Sequence, residues 1–306
     1  MKRRDFLKSS LGIGAIAGAG FTLGSYGEML AASNMLPPLY DLVAVKGGEP
    51  DVMFEKAIRS LGGMTAFVKK GQKVVVKPNI GWDVSPERGG DTNPKLIYSI
   101  VKHCLDAGAK EVFVFDNTCD NWAKCYKNSG IEKAVKDAGG KIAPGNSEAN
   151  YQQVDVKNGK KLKKAKVHEL ILDSDVFINV PILKNHMAAD VTISMKNLMG
   201  IVWDRQYWHR TDLHQCIADF ATFRKPDLNI VDAYRVMMKN GPRGVSEKDI
   251  SLMKQMVISK DILAADAASV KIFGKEPEDI SYIQIAKEMK LGRTDLKNMK
   301  INRIIL

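Results

Sequence analysis

The sequence predicts an α/β fold: a mainly parallel sheet flanked by helices, with a small antiparallel insertion. Short apolar runs typical of buried strands alternate with segments of helical periodicity along most of the chain, which is the pattern of a parallel α/β sheet. One stretch lacks this alternation, from YQQVDV at residue 151 to the lysine-rich run that ends at residue 168. Its pair Asn158-Gly159 is typical of hairpin turns, so we place the antiparallel insertion there.

In the first half of the chain, three strand-type runs each precede a helical segment. LYDLVAVKGG precedes DVMFEKAIRSLGG, QKVVVKPNI precedes DTNPKLIYSIVKHCLDAGA, and KEVFVFDNT precedes a helix that we predict from about residue 122 to 138. The second helix has the clearest boundaries, because Asn93 or Thr92 can cap it, Pro94 suits its first turn and Gly108 ends it.

The second half returns to the same alternation. Its strand-type runs are DSDVFINVPIL, DLNIVDAYRV and QMVIS, Asp261 can cap the helix after the last of them, and KINRIIL suits a C-terminal edge strand. The segment ADVTISMKNLMG fits either a helix ended by Gly200 or a strand that alternates Val191, Ile193 and Met195. We favour the helix, because the run is long and ends at a glycine.

The N-terminus resembles a twin-arginine export signal. Arg3 and Arg4 lie in MKRRDFLK, and the apolar run of residues 11–23 that follows is too short and too glycine-rich for a good membrane span. An uncleaved amphipathic N-terminus is the alternative.

Cleavage near Ser33 would leave residues 1–32 as the signal peptide and residues 33–306 as a single α/β domain. We therefore expect a periplasmic or otherwise exported protein that has the twin-arginine export machinery as a partner. No stable membrane span is expected after cleavage.

The chain is basic, with a formal net charge of +11. The predicted signal carries four basic residues against Asp5 and Glu28, so the mature part keeps 11 − 2, about +9. Such a surface suits nucleic acid, membrane surfaces or anionic small molecules. Export argues against nucleic acid, so we expect an anionic small molecule. Much of the charge lies in KNGKKLKKAKVH (157–168), whose lysines we expect at a solvated hairpin tip rather than in a binding patch.

The four cysteines do not indicate a metal or iron–sulfur centre, because they form no C-x-x-C pair. Cys119 and Cys125 lie six residues apart and are the best candidates for a disulfide, with separate thiols as the alternative. His209 and His214 lie five apart, which is not the spacing of a helical zinc pair. We assign no metal ligands.

Polar side chains follow the predicted strands, at the edge where open α/β sheets place their ligand sites. The residues in question are Lys77 and Asn79, Asp116 and Asn117, Lys184 and His186, Asp232, and Lys260 and Asp261. If the strands are parallel, these side chains converge. We expect Lys77, Lys184, His186 and Lys196 to line one pocket.

This pattern gives a set of candidate site residues. The histidines His186 and His214 suit general acid–base work near neutral pH, and Asp116 could orient a histidine or hold a cation. Residues that we expect to bind the ligand are Lys77, Asn79, Lys184, Lys196, Asn197, Arg243, Asp232 and Asp266. Arg243 is included because the NGPRG loop could offer backbone N–H groups and a guanidinium to an anion, although a plain turn is the alternative.

The order of several segments resembles the domain-of-unknown-function 362 family over about residues 72 to 270. The segments are KPNI, NVPILKNH, TISMKNLMG, His214, NIVDA, NGPRG and AADAASV. The resemblance implies that twin-arginine signals occur among relatives and that some relatives carry fused ferredoxin-like modules. This chain lacks the cysteine cluster of those modules, so no intrinsic iron–sulfur cluster is expected.

We therefore expect an exported protein with a cationic pocket, most simply an enzyme that acts on an anionic small molecule or bound cofactor. The alternatives are a non-catalytic anion-binding protein, a partner of a periplasmic iron–sulfur redox complex, or an assembly factor. The chain contains no G-x-S-x-G, P-loop, H-E-x-x-H or G-x-G-x-x-G motif, so the sequence predicts neither the reaction nor the cofactor.

Overall fold

The computed structural model describes residues 40–306, all within one compact unit. The predicted signal peptide, its cleavage site and the start of the domain lie outside these residues. The strands are β1 Leu42–Lys46, β2 Lys73–Pro78, β3 Glu111–Val114, β4 Lys141–Ile142, β5 Tyr151–Asp155, β6 Lys164–His168, β7 Val176–Val180, β8 Ile182–His186, β9 Asp190–Thr192, β10 Leu228–Met237, β11 Ile250–Ser259 and β12 Ile301–Ile305.

Ten helices pack around these strands in the described part of the chain. They are α1 Pro50–Ser60, α2 Pro94–Asp106, α3 Trp122–Asn128, α4 Ile131–Asp137, α5 Glu169–Asp173, α6 Ser194–Asn197, α7 Gln206–Thr211, α8 Leu213–Phe220, α9 Ile262–Phe273 and α10 Ser281–Glu288. The predicted caps of two of them are confirmed: Asn93 accepts a hydrogen bond from Lys95 N in α2, and Asp261 accepts from Leu263 N and Ala264 N in α9.

The sheet is mainly parallel, so the predicted fold class is confirmed. Its main strand order is β12-β1-β11-β10-β7-β2-β3-β4, with β8 beside β10 and β9 beside β8. From β10 to β4 every neighbouring pair is parallel, whereas β11 runs antiparallel to both β1 and β10. The C-terminal ends of β2, β3 and β7 therefore meet at one edge, and the C-terminal end of β11 lies at the other. Lys260 and Asp261 are thus not part of the site edge.

The sheet is buried on both faces, as a parallel sheet requires. In β2, Val74 and Val76 belong to the core that packs against α1 and α2, while Val75 belongs to the core that packs against α8, α9 and α10. This explains why the strand is a continuous apolar run. It also means that a polar side chain at the end of such a strand can point only towards the sheet edge or into a buried network.

Two predicted helices differ from the structure. The helix expected over residues 122–138 is the pair α3 and α4, because Gly130 between them has a left-handed φ of 73°. The segment 189–200 begins as strand β9, which pairs with β8, and only then turns into α6 and a short 3₁₀ turn. The helix prediction is therefore wrong for residues 190–192.

The predicted antiparallel insertion is confirmed as a two-stranded sheet of β5 and β6, joined by residues 156–163. Its lysines are exposed, as predicted, apart from the half-buried Lys166. Lys161, Lys163, Lys164 and Lys166 line a groove of about 700 Å³ with Trp203 and Tyr207. Within residues 40–306, no helix is long and apolar enough to cross a membrane.

Candidate functional site

A cavity of about 320 Å³ opens where the ends of β2, β3 and β8 meet. The segments around it come from distant parts of the chain, which is typical of ligand sites at the edge of an open α/β sheet. Its lining residues are Lys77, Asn79, Gly81, Trp82, Asp116, Asn117, Cys119, Lys184, His186, Thr192, Lys196, Asn197, Met199, Gly200, Arg205, Gln206, His209 and Pro242. The four residues that the sequence places in one pocket, Lys77, Lys184, His186 and Lys196, all line it.

A buried ion pair forms the floor of the cavity. Lys77 Nζ lies 3.0 Å from Asp116 Oδ1, and both side chains are almost completely buried. The other carboxylate oxygen, Asp116 Oδ2, accepts a hydrogen bond from Ile80 N at 2.7 Å. Burial lowers the pKa of Lys77 and raises the pKa of Asp116, while their mutual attraction opposes both shifts.

Asn197 ties this pair to the rest of the floor. Its Oδ1 accepts hydrogen bonds from Lys77 Nζ at 2.8 Å and from Asn79 Nδ2 at 3.0 Å, and its Nδ2 donates to Asn179 Oδ1 at 2.9 Å. Asn79 in turn accepts from Lys184 Nζ at 3.0 Å. The ammonium groups of Lys77 and Lys184 are therefore both engaged by protein atoms.

Asp91 is a buried carboxyl whose charge acts on Lys184 although it does not line the cavity, and local sequence patterns did not identify it. Asp91 Oδ1 accepts from Gly81 N and Trp82 N, and Lys184 Nζ also donates to the neighbouring Gly90 O. Burial raises the pKa of Asp91 to about 7 and lowers the pKa of Lys184 to about 8, with the attraction between the two groups acting against both shifts. The Gly-Gly turn before Asp91 was the available signal.

Lys196 differs from the other two lysines. Its Nζ lies 3.7 Å from Met199 Sδ, and no oxygen atom of residues 40–306 accepts a hydrogen bond from it. Burial and then the charge of Lys184 lower the pKa of Lys196 to about 7. The amine is therefore presented to the cavity with a substantial neutral fraction near neutral pH.

The helix that carries Lys196 is held by Asp266, which the sequence analysis counted as a ligand-binding residue. The structure instead places Asp266 fully buried on α9, where its carboxyl accepts from Ser194 N at 2.7 Å and Met195 N at 3.1 Å. Burial raises its pKa to about 7. Asp266 thus satisfies the first free N–H groups of α6 and sets the position of Lys196 without lining the cavity.

His186 is held as a neutral imidazole. Burial, followed by the charges of Lys196 and Lys184, lowers its pKa to about 2. Its Nδ1 accepts a hydrogen bond from Ala188 N at 3.1 Å, which leaves the proton of the neutral ring on Nε2. The ring stacks 6.5 Å from that of His209, whose pKa burial also lowers. His186 is therefore a hydrogen-bond donor rather than a ready proton acceptor.

Arg205 and Thr192 are two further lining residues that the sequence analysis did not name. The Arg205 guanidinium donates to Asn117 O at 2.6 Å and Thr118 O at 2.5 Å, which fixes a cation on the cavity wall. Thr192 pairs with Lys184 across β8 and β9, and its buried Oγ1 has no hydrogen-bond partner among residues 40–306. The position of Arg205 depends on a loop contact, which no sequence periodicity reveals.

Three further predicted residues, besides Asp266, are not part of the cavity lining. His214, on α8, stacks 6.4 Å from the ring of Tyr282. Asp232 lies within β10 rather than at its end, because the strand continues to Met237, and it accepts from Asn93 N and Tyr234 N. Arg243 is a rim residue that pairs with Asp120 at 3.3 Å and lies over Trp82, although its neighbour Pro242 does line the cavity.

The cysteines are free thiols, so the disulfide between Cys119 and Cys125 is absent from the structure. Cys125 is buried in α3 within the core, whereas Cys119 faces the cavity. No group of three or more His, Cys, Asp or Glu residues suitable for a metal ion occurs in the described part of the chain.

Gly200 is required for close approach at the floor. A Cβ atom there would lie 1.9 Å from Asp116 Oδ1 and 2.5 Å from Lys77 Nζ. We predict that Gly200→Ala lowers the free energy of unfolding by about 3 kcal/mol, because it forces the buried pair apart. Urea unfolding measures the change.

Gly81→Ala is the matched control, since the nearest atom to its Cβ would be Asn79 Oδ1 at 3.7 Å, an ordinary contact. It should change the free energy of unfolding by less than about 1 kcal/mol. Equal stabilities of the two variants would contradict the described packing at Gly200.

Comparison with known proteins gives distant structural similarity and a clear family match. A lactate racemase apoprotein from Thermoanaerobacterium thermosaccharolyticum is 13% identical with a TM-score of 0.48 over 78% of this chain and 58% of its own. A Thermotoga maritima protein is 9% identical with a TM-score of 0.40 over 79% and 60%. The chain thus spans less than two thirds of either solved structure.

A Thylakoid-associated protein from Synechocystis sp. (strain ATCC 27184 / PCC 6803 / Kazusa) is 26% identical over 254 residues, which cover 78% of this chain and 74% of the relative. The model of the family described as Domain of unknown function (DUF362) matches residues 74–271, more than half of the chain and all of the segments that line the cavity. The chain belongs to this family.

Proposed function

We propose that the protein is an exported enzyme that binds an anionic small molecule in the cavity and uses the Lys196 amine as a proton acceptor. The observation that carries the proposal is the contrast among the three cavity lysines. Lys77 and Lys184 donate hydrogen bonds to protein oxygens, whereas Lys196 has no oxygen partner among the described residues.

The charge of the lining favours an anionic ligand. Lys77, Lys184, Lys196 and Arg205 contribute basic groups, while Asp116 is the carboxylate that lines the cavity, and it is already paired with Lys77. A partly enclosed cationic site attracts carboxylates and phosphates, and Arg205 offers a fixed guanidinium that suits either group.

The state of Lys196 favours catalysis over simple anion storage. A general base works best when its pKa lies near the working pH. Burial and the cationic neighbours lower the pKa of Lys196 to about 7. Neutral His186, with its proton on Nε2, is suited to donate a hydrogen bond to an oxygen of the substrate that gains negative charge. A non-catalytic anion-binding protein would need neither feature.

The experiment is competitive labelling of amines with an acylating reagent, read by peptide mass spectrometry from pH 5 to pH 10. We expect the labelling of Lys196 to follow a pKa of about 7. Lys297, an exposed lysine of the same chain, serves as the internal reference for the reactivity of the reagent. Lys184→Met should raise the pKa of Lys196, because it removes a neighbouring positive charge.

The same labelling tests ligand class. Small carboxylates and phosphates should protect Lys196 at low ionic strength, less so in added NaCl, and should not protect Lys297. If the labelling of Lys196 shows the same pH dependence as that of the exposed lysines, the proton-acceptor role is wrong and the non-catalytic alternative is favoured. Protection that is independent of salt would argue against a cationic ligand site.

We also propose that the chain is exported by the twin-arginine route, supported by Arg3 and Arg4 followed by the short apolar run 11–23. In a bacterium that has this machinery, the double variant Arg3→Lys with Arg4→Lys should stay in the cytoplasm, although its charge is unchanged. Lys2→Arg is the control and should still be exported. Equal export of the double variant and the unaltered chain, measured by cell fractionation, would rule this route out.

A further inference from the structure

We infer that the substrate carries a carbonyl group beside its anionic group, and that Lys196 binds it covalently as an imine. The inference rests on the proposed function, because it assigns the substrate class of the same cavity. It goes further in giving Lys196 a bond to carbon rather than a proton transfer alone.

The geometry selects Lys196 as the nucleophile. Lys77 Nζ is held by Asn197 and Asp116, and Lys184 Nζ by Asn79 and Gly90, so neither amine is free to attack a ligand. Lys196 has only the weak contact with Met199 Sδ at 3.7 Å among the described residues.

The backbone that carries Lys196 is held in place, although its amine has no oxygen partner among the described residues. Lys196 lies on a one-turn helix whose first two N–H groups are held by the buried carboxyl of Asp266, while Asn197 next to it is locked into the floor. A nucleophile on such a support has a defined direction of attack, which lowers the entropic cost of reaction.

Burial and the groups around Lys196 lower the pKa of its amine to about 7. The cations Lys184, Arg205 and Lys77 line the same cavity, and burial lowers the pKa of both facing rings, His186 and His209. The carboxylate of Asp116 is paired with Lys77. Cys119 is the remaining titratable group that faces the cavity. Desolvation and adjacent cations are the two means by which lysines are activated for imine formation.

The reaction balances without a further reactant. The lone pair of Lys196 Nζ forms a bond to the carbonyl carbon as the C=O π pair moves to oxygen, and a proton passes from nitrogen to that oxygen to give a carbinolamine. Loss of the hydroxyl with the second amine proton, as water, leaves the C=N bond. The products are one imine and one water, and no electrons are gained or lost.

Two side chains can donate hydrogen bonds to the carbonyl oxygen of the substrate. His186 lines the cavity and carries its proton on Nε2, and Thr192 has a buried hydroxyl without a partner among residues 40–306. Both suit an oxygen that becomes negative during attack. The guanidinium of Arg205 is left for the carboxylate or phosphate of the ligand. A cavity of about 320 Å³ is at the small end for ligand sites, which favours a small oxo acid or a small phosphorylated aldehyde.

Reductive trapping on the full chain tests the inference. The protein is incubated at pH 7 with glyoxylate and cyanoborohydride, and modified lysines are located by peptide mass spectrometry. We expect modification at Lys196 to exceed that at any exposed lysine by about tenfold or more, because its neutral fraction is much larger. Acetaldehyde, which lacks the anionic group, should lose this preference, and glycolate, which lacks the carbonyl, should slow the reaction with glyoxylate.

Two variants provide the controls. Lys196→Arg should abolish the fast modification, and Lys297→Arg, at an exposed position, should leave it unchanged. Because the site is mapped directly in the unaltered protein, the result does not depend on Lys196→Arg folding normally. Modification spread over exposed lysines, with no preference for Lys196, overturns the inference.

The two experiments distinguish failure of the imine from failure of the proposed function. If anions protect Lys196 from acylation and its pKa is about 7, but glyoxylate forms no adduct there, the imine is wrong and the proton-acceptor role stands. If Lys196 also titrates with the exposed lysines, both are wrong.

Discussion

The buried contact between Lys77 and Asp116 is the constraint on which the cavity depends. It joins the end of β2 to the segment after β3, and Asn197 extends it to α6 and to Asn79. Removing one partner of such a pair typically costs about 3–5 kcal/mol, because the other charge is left buried and unpaired. Gly200 is needed at this point, because no side chain fits beside the pair.

Asp116 is the carboxylate of the described lining, and its pairing with Lys77 leaves the other cations of the lining without a negatively charged partner there. Arg205 is fixed by backbone carbonyls, which carry no full charge, and Lys196 faces a methionine sulfur. Burial and the neighbouring cations lower the pKa of Lys196 and of His186, which reduces the positive charge of the cavity near neutral pH. A neutral amine beside cations is costly to protonate without an anion, and this links ligand binding to the charge of Lys196.

Sequence reasoning identified much of this arrangement because parallel strands end at one edge. Lys77 lies near the C-terminal end of β2, and Asn79 and Asp116 follow β2 and β3 closely, so their approach to one another follows from the fold class. The family segments gave Lys184, His186, Lys196 and Asn197 as a group. These predictions needed only local patterns and the direction of the strands.

The rest depended on contacts between distant segments. Asp232 lies inside β10, because that strand runs on past the expected end, and Asp266 holds the backbone of α6 instead of a ligand. Asp91 and Arg205 come from loops whose positions are set by hydrogen bonds to other loops. Lysine environments likewise cannot be read from sequence: Lys77, Lys184 and Lys196 look alike until their partners are known.

The central claim is that binding of an anion changes the protonation of Lys196. The most direct test is to measure how many protons the protein takes up when an anion binds. Sulfate is titrated into the protein at pH 8 in HEPES and in Tris, and the difference in heat between the two buffers gives the protons taken up on binding. The account predicts a fractional uptake of protons on binding, because a bound anion raises the pKa of Lys196 from about 7 while part of the amine stays neutral, and it predicts loss of that uptake in Lys196→Met. Sulfate binding without proton uptake would contradict it.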